Sequence, residues 1–160
     1  LKVLGIDPGL RICGYAAVQG GILNTNLIEA GAIRIKTDQP LEKRLAQISE
    51  DISNLIESIV PDVLAVEKLY AHYKHPRTSI LMGHARGVIL LEAGKRDIRV
   101  LEYAATRIKK SLTGNGRATK DQMQKALQSV LGLAEPPKPA DVADASAIAL
   151  CCAGEMEARY

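Results

Sequence analysis

The sequence has no tryptophan and no phenylalanine, and five tyrosines are its whole complement of larger aromatics. A core in this chain must therefore be built from Leu, Ile, Val and Ala, and a tyrosine in a polar stretch is correspondingly informative. Cysteine is scarce as well. Cys13, Cys151 and Cys152 are odd in number and two of them are adjacent, so no disulfide framework is implied. No Cys/His spacing matches a zinc site, and all three read as small core or surface residues. Long apolar runs are missing too. The longest weakly polar stretch, Ala145 to Gly154, is about half the ~20 residues needed to span a bilayer. The N-terminus enters a strand-like run directly, with no basic and apolar leader ahead of it. These absences predict a soluble, cytoplasmic protein with no membrane partner.

What is present is an apolar fraction of 47% in 160 residues, enough for a real core and too much for a disordered chain. The length suits one compact domain over residues 1–160. Net charge is only +3, but it is unevenly spread. Residues 1–66 hold 6 basic and 8 acidic groups, residues 67–125 hold 13 and 5, and residues 126–160 hold 2 and 5. A basic middle on a near-neutral chain points to a local surface for a polyanion.

Hydrophobic periodicity organises the rest. Lys2 to Asp7 reads as a buried strand ending at Pro8-Gly9. Cys13 to Gln19 reads as a second strand, and Ile22 to Ile35 contains a third, close enough for an antiparallel meander. Leu41, Leu45, Ile48, Ile52, Leu55, Ile56 and Ile59 repeat at three- and four-residue steps and predict a helix over Pro40 to Val60. Asp62 to Leu69 reads as a strand, Thr78 to Lys95 as a helix and Ile98 to Tyr103 as a strand, an order that favours parallel pairing. Helices follow around Ala105 to Leu112, from Thr119 and from near Asp141, with Thr119 and Gln122 spaced as a capping box. The order β-β-β-α-β-α-β-α-α-α fits an α/β ribonuclease H-like fold, a mixed five-stranded sheet flanked by helices.

Two of the strands end in a carboxylate. Asp7 closes Val3-Leu4-Gly5-Ile6, and Glu67 closes Val63-Leu64-Ala65-Val66. A carboxylate at a buried strand end is costly without a partner. If the two strands pair in parallel, both groups emerge at the C-terminal edge, outside which ligands bind in open α/β sheets. Asp141 and Asp144 lie three apart, on one face of the last helix, and the apolar run after Asp144 places it near the face that packs on the sheet. Four clustered carboxylates repel each other, so a divalent cation explains why a protein would gather them. Hard oxygen ligands without Cys or His suit Mg²⁺, with Mn²⁺ substituting. Two such ions can activate a water and stabilise a leaving oxygen in phosphodiester hydrolysis.

On these motifs the chain resembles the RuvC family of Holliday-junction resolvases, crossover junction endodeoxyribonucleases, over nearly its whole length. Gly5-Ile6-Asp7-Pro8-Gly9 resembles the family's first-strand motif and Val66-Glu67-Lys68-Leu69-Tyr70 its second acidic motif. Gly83-His84-Ala85-Arg86-Gly87-Val88 is similar to the helix that follows. Ala140-Asp141-Val142-Ala143-Asp144-Ala145 with Ile148-Ala149 is similar to the C-terminal acidic motif. The resemblance implies a homodimer that nicks two strands of a four-way DNA junction symmetrically in recombination and repair, with the RuvA–RuvB branch-migration complex as a partner. It puts Asp7, Glu67, Asp141 and Asp144 on the catalytic, metal-binding carboxylates. Tyr70 falls on an aromatic position that contacts DNA, and Lys109 or Lys110, with Lys120, on basic positions near the active site. Lys68 and His84 stand where amides are familiar and bear on base preference.

Basic and aromatic residues fit that expectation. Tyr70, Tyr73, Lys74, His75 and Arg77 follow Glu67 closely, and opened DNA suits stacking rings beside phosphate-binding cations. Lys120 beside a scissile phosphate can stabilise developing negative charge. Ile80, Leu81, Ala85, Val88, Ile89 and Leu91 make their helix apolar over more than one face, one for the sheet and one for a symmetry mate. His72, His75 and His84 show no metal-ligand spacing. A kinase-like ATPase, which also opens with Asp-x-Gly, needs a second related domain, and this chain has no second such motif. An enzyme of the same superfamily acting on RNA or other branched nucleic acid is the alternative.

Overall fold

A computed structural model describes residues 1–70 and 75–158. Its elements are β1 (Lys2–Asp7), β2 (Ile12–Gln19), β3 (Asn26–Arg34), α1 (Leu41–Ile59), β4 (Val63–Glu67), α2 (Pro76–Gly94), β5 (Arg99–Tyr103), α3 (Ala105–Thr113), α4 (Lys120–Leu131) and α5 (Ala140–Glu157). The sheet order is β3-β2-β1-β4-β5. The first three strands form the expected antiparallel meander, and β4 and β5 join in parallel. Most boundaries fall within one residue of expectation, and two differ by two residues. Strand β4 stops at Glu67, two residues early, although the Lys68 N–H still reaches the Tyr103 carbonyl at 2.9 Å. Helix α2 starts at Pro76, because a proline in the first turn has no N–H to leave unpaired.

Strand alternation divides the core in two. Val3, Ala16, Val18, Val63 and Ala65 face α5 on one side of the sheet. Leu4, Ile6, Leu64 and Val66 face α1 and α2 on the other, against Ile48, Ile52, Ala85 and Ile89. Helix α5 is buried almost all round, since α3 and α4 cover what the sheet does not. Among the described residues, no helix is long and apolar enough to cross a membrane.

Two glycines set how closely α5 approaches. A methyl at Gly5 would sit 2.5 Å from the Ala145 carbonyl and 2.7 Å from the Ala149 amide, and one at Gly14 would collide with the Asp141 carbonyl. Helix backbone thus rests directly on strand backbone at β1 and β2.

On the opposite side of the sheet, α1 and α2 are tied by one buried acid. Glu92 is 3% exposed. It accepts from Ser49 Oγ at 2.7 Å, Lys95 Nζ at 2.9 Å and Arg96 at 2.8 Å. Arg96 also donates to Glu57 at 2.8 Å. The Ser49 hydrogen bond, with those from Lys95 and Arg96, outweighs burial and holds the Glu92 carboxyl at about 2, against an ordinary 4.5. Such a group stabilises the fold above its unfolded value and loses that contribution as pH falls toward 2. Glu92→Gln is expected to lower stability at pH 7 by about 1–3 kcal/mol, each kcal/mol being worth roughly 2–4 °C in Tm at this length. The difference from wild type should shrink in thermal melts below pH 4, and an equal loss at pH 3 and pH 7 would exclude the ionic origin.

Candidate active site

The carboxylates meet because strand periodicity and helix packing converge on one edge. Val3, Gly5 and Asp7 alternate onto the α5 face of β1, as Val63, Ala65 and Glu67 do on β4. The parallel register aligns Ile6 with Val66, so the next residues, Asp7 and Glu67, leave the sheet side by side. Asp7 also pairs across β2 with Gly14, the residue on which the Asp141 backbone rests. The first turns of α5 therefore overhang the ends of β1 and β4, carrying Asp141 and Asp144. Asp144 is exposed at the rim while Val142, Ala143 and Ala145 around it are buried.

The four groups are electrostatically one site. Asp7 is pushed up to about 7, first by burial and then by Asp144, Asp141 and Glu67. Glu67 is raised by burial and by Asp144, with Lys109 pulling it back. Asp144 is raised by burial and by Asp141, with Lys120 offsetting them. Lys109 and Lys120 both line a cleft of about 260 Å³ with Glu67 and Asp144. Its floor is apolar, including Ile108, Leu127 and Ile148. Of the two lysines left open by sequence, Lys109 faces the acidic groups and Lys110 is exposed outside the cleft lining. A smaller hollow of about 100 Å³ lies between Asp7, Glu67, Lys68 and Arg86, whose guanidinium pairs with Glu102 at 2.8 Å.

Among the described residues, no three Asp, Glu, His or Cys side chains converge tightly enough to ligate an ion as they are oriented. The donor chemistry nevertheless fits a hard divalent cation, with four carboxylates on three elements, while the Cys13 thiol near Asp7 is buried and committed to Gly9.

The other expected residues fall around this centre. Tyr70 is 57% exposed and borders a groove of about 340 Å³ with Glu67, Lys68, His75, Thr78 and Met82. Arg77 is exposed in the first turn of α2. Lys74, with His72 and Tyr73, lies outside the described residues. On α2, Ala85 and Ile89 pack on the sheet while Ile80 and Leu91 are 63% and 55% exposed, so the helix has the two faces its sequence predicts.

Sequence reading missed what holds the Asp7 loop. Cys13 Sγ–H donates to the Gly9 carbonyl at 2.9 Å and Sγ accepts from the Gly9 N–H at 3.4 Å. Arg44 of α1 donates to the Leu10 carbonyl. Neither residue has a motif of its own; the signal, a polar side chain at a buried position for Cys13 and a half-buried one for Arg44, becomes visible only once burial is known.

A mixed five-stranded sheet with clustered carboxylates at the C-terminal edge of its parallel strands defines a ribonuclease H-like nuclease. Residues 3–152 match the model of the family described as Crossover junction endodeoxyribonuclease RuvC, and the chain belongs to that family. It is 48% identical to the Rhodopirellula baltica crossover junction endodeoxyribonuclease RuvC over 149 residues, covering 93% of this chain and 84% of that one. The Petrotoga mobilis protein of the same description is 46% identical over 151 residues, covering 94% and 92%. Among solved structures, Thermus thermophilus RuvC in complex with Holliday junction substrate superposes with a TM-score of 0.93 at 29% identity, covering 99% of this chain and 96% of that one. The chain is a metal-dependent nuclease of this family.

Two outcomes follow from the site. Asp7 is raised, so its ionisation opposes folding: stability falls as pH rises from about 4 to about 7. Metal-free Asp7→Asn should melt above wild type at pH 7.5 by several degrees, with the gap closing toward pH 4. Added Mg²⁺ should raise the wild-type Tm more than that of the variant; the reverse order would remove Asp7 from the acidic cluster. Gly14→Ala should displace the start of α5 and cut cleavage by about 10²-fold or more, since a misplacement of about 1 Å costs that much. Retained junction binding in a gel-shift assay would separate this from unfolding, and full activity would show that the close approach is dispensable.

Proposed function

We propose that this chain, as a single nuclease domain over residues 1–160, resolves four-way DNA junctions by symmetric, Mg²⁺-dependent phosphodiester hydrolysis in recombination and repair. The observation that carries the proposal is the convergence of Asp7, Glu67, Asp141 and Asp144 at one sheet edge, with Asp7, Glu67 and Asp144 each raised in pKa by burial and by others of the set. These four would hold the metal, two ions per site, with Mn²⁺ substituting. Bound divalent ions supply Lewis-acid stabilisation and an acidified water.

The chain's own groups do the rest. Lys120 and Lys109 reach the acidic cleft from α4 and α3, and Lys120 steadies negative charge developing on the scissile phosphate. Tyr70, exposed three residues beyond Glu67, stacks an unpaired base at the crossover and sets the phosphate over the carboxylates. Lys74, Arg77 and Lys110 contact the flanking backbone. Two protomers are needed for paired nicks. The exposed stripe Ile80, His84, Gly87 and Leu91 on α2 suits a two-fold contact in a homodimer. The RuvA–RuvB complex would deliver the junction.

Cleavage of a four-way DNA junction is expected to exceed that of linear duplex, and of a four-way RNA, by at least an order of magnitude. Asp7→Asn should abolish it while junction binding persists, because removing negative charge does not weaken attraction to phosphate. Tyr70→Ala should blunt the fluorescence rise of 2-aminopurine at the crossover, stacking being worth roughly 1–3 kcal/mol per base, and Tyr70→Phe should not. Full activity in excess chelator, or equal cleavage of linear DNA, would refute the proposal.

A further inference from the structure

Residues 1–66 carry more acidic than basic groups, yet folding sorts them. Of the six basic residues in this segment, five come to the edge of the sheet where Asp7 emerges: Arg11, Arg34, Lys36, Lys43 and Arg44. The antiparallel meander does this. Strand β2 begins where β1 ends, and β3 ends where β2 begins, pairing Ile12 with Arg34. The Ile35 N–H donates to the Arg11 carbonyl at 2.9 Å, which fixes the loop before β2 against the end of β3. Gln47 of α1 accepts from the Lys36 N–H at 3.0 Å and donates to the Arg34 carbonyl at 3.0 Å. Lys43 lies one helical turn before Gln47. By contrast, Asp62 binds the Lys2 N–H and Glu57 binds Arg96 at the opposite edge of the sheet.

Arg44 is committed to the Leu10 carbonyl. The side chains of Arg11, Arg34, Lys36 and Lys43 make no ion pair or hydrogen bond with any described residue. Arg11, Arg34, Lys36 and Lys43 are exposed, as are Asp38 and Glu42 on the same edge, and Glu29 and Asp51 border a hollow with Arg34 without pairing with it. Four free cations held close by backbone hydrogen bonds repel one another, so the arrangement is stabilised by an external polyanion. Strand alternation places Arg34 on the same face as Asp7, two strands away, on the order of 10 Å. That is a few base steps at about 3.4 Å each. The acidic cleft is thus bracketed, with Lys109 and Lys120 on the α3–α4 side and these four on the β2–β3–α1 side.

We infer that Arg11, Arg34, Lys36 and Lys43 form a second DNA-binding surface, which holds the phosphate backbone of a duplex arm next to the strand being cut. The inference rests on the junction-resolving function proposed above and names the part of the substrate that this side of the site takes. Phosphate contacts of this kind position the substrate without reading its sequence.

The test is binding of a four-way junction without divalent metal, followed by fluorescence anisotropy across a salt series. The quadruple variant Arg11→Gln, Arg34→Gln, Lys36→Gln, Lys43→Gln is compared with wild type, and Arg99→Gln, at the far edge, serves as control. Each lost phosphate contact lowers the slope of log K against log salt by about 0.9. The quadruple variant should lose about two or more from the slope, and its Kd should rise on the order of tenfold; Arg99→Gln should leave both unchanged. Shortening the arms to a few base pairs should bring wild type down to the variant. The charge-conserving pair Arg11→Lys, Arg34→Lys should keep the slope, which separates lost contacts from lost fold. An unchanged slope in a quadruple variant with a wild-type circular dichroism spectrum overturns the inference and leaves the proposed function standing. A wild type that binds linear duplex as well as junctions removes the junction-resolving function, while a slope drop on that duplex would still locate the surface.

Discussion

The packing of α5 across β1 and β2 holds four carboxylates closer together than their charges favour. Burial of α5 on nearly every side drives that contact, and Gly5 and Gly14 let helix backbone meet strand backbone with no side chain between. Neither the acids at the strand ends nor those on the helix would form a site alone. The apolar interface supplies the free energy that opposes repulsion, and Asp7, pushed up to about 7 first by burial and then by its acidic neighbours, registers both. A divalent ion held there, as proposed, would relieve the repulsion and would couple metal affinity to fold stability at this edge.

Charge around the site is layered. Asp7, Glu67, Asp141 and Asp144 occupy the centre, Lys109 and Lys120 reach in from α3 and α4, and exposed cations lie on the flank formed by β2, β3 and α1. On the proposed reading, a polyanionic substrate would be drawn by the outer charges and would meet the acidic groups only where metal neutralises them, so that cleavage depends on metal and binding does not. Lys120 at the start of α4 opposes the helix dipole, although the Thr119–Gln122 capping box stabilises that terminus. A cation kept at an unfavourable helix position fits a role in the cleft better than one in helix stability.

The far side of the sheet shows how the same chemistry serves structure instead. Glu92 is more deeply buried than any carboxylate of the site, yet Ser49, Lys95 and Arg96 lower its pKa where those of Asp7, Glu67 and Asp144 are raised. Hydrogen-bond donors within reach decide the difference. Glu92 stays ionised and joins α1 to α2; Asp7 has no such donors among the described residues, which fits the cation-binding role proposed for it.

The order of elements, the faces of the strands and the four acidic positions were legible in the sequence, because periods of two and 3.6 residues are local properties of the chain. Asp7 and Glu67 stood out as polar ends on apolar strands, and Asp141 and Asp144 as neighbours on a helix face. The ends of β4 and α2 were less legible, since a last ladder bond and a first-turn proline decide them. Lys109 could not be told from Lys110 until the packing of α3 on α5 was known. Cys13 and Arg44 carried no signal until burial showed what their polar atoms bind. The basic edge formed by Arg11, Arg34, Lys36 and Lys43 was invisible in a segment of net negative charge. Charge counted along a chain is a sum, whereas an electrostatic surface depends on which residues a meander and a returning helix bring to the same end of the sheet, and only the tertiary structure decides that.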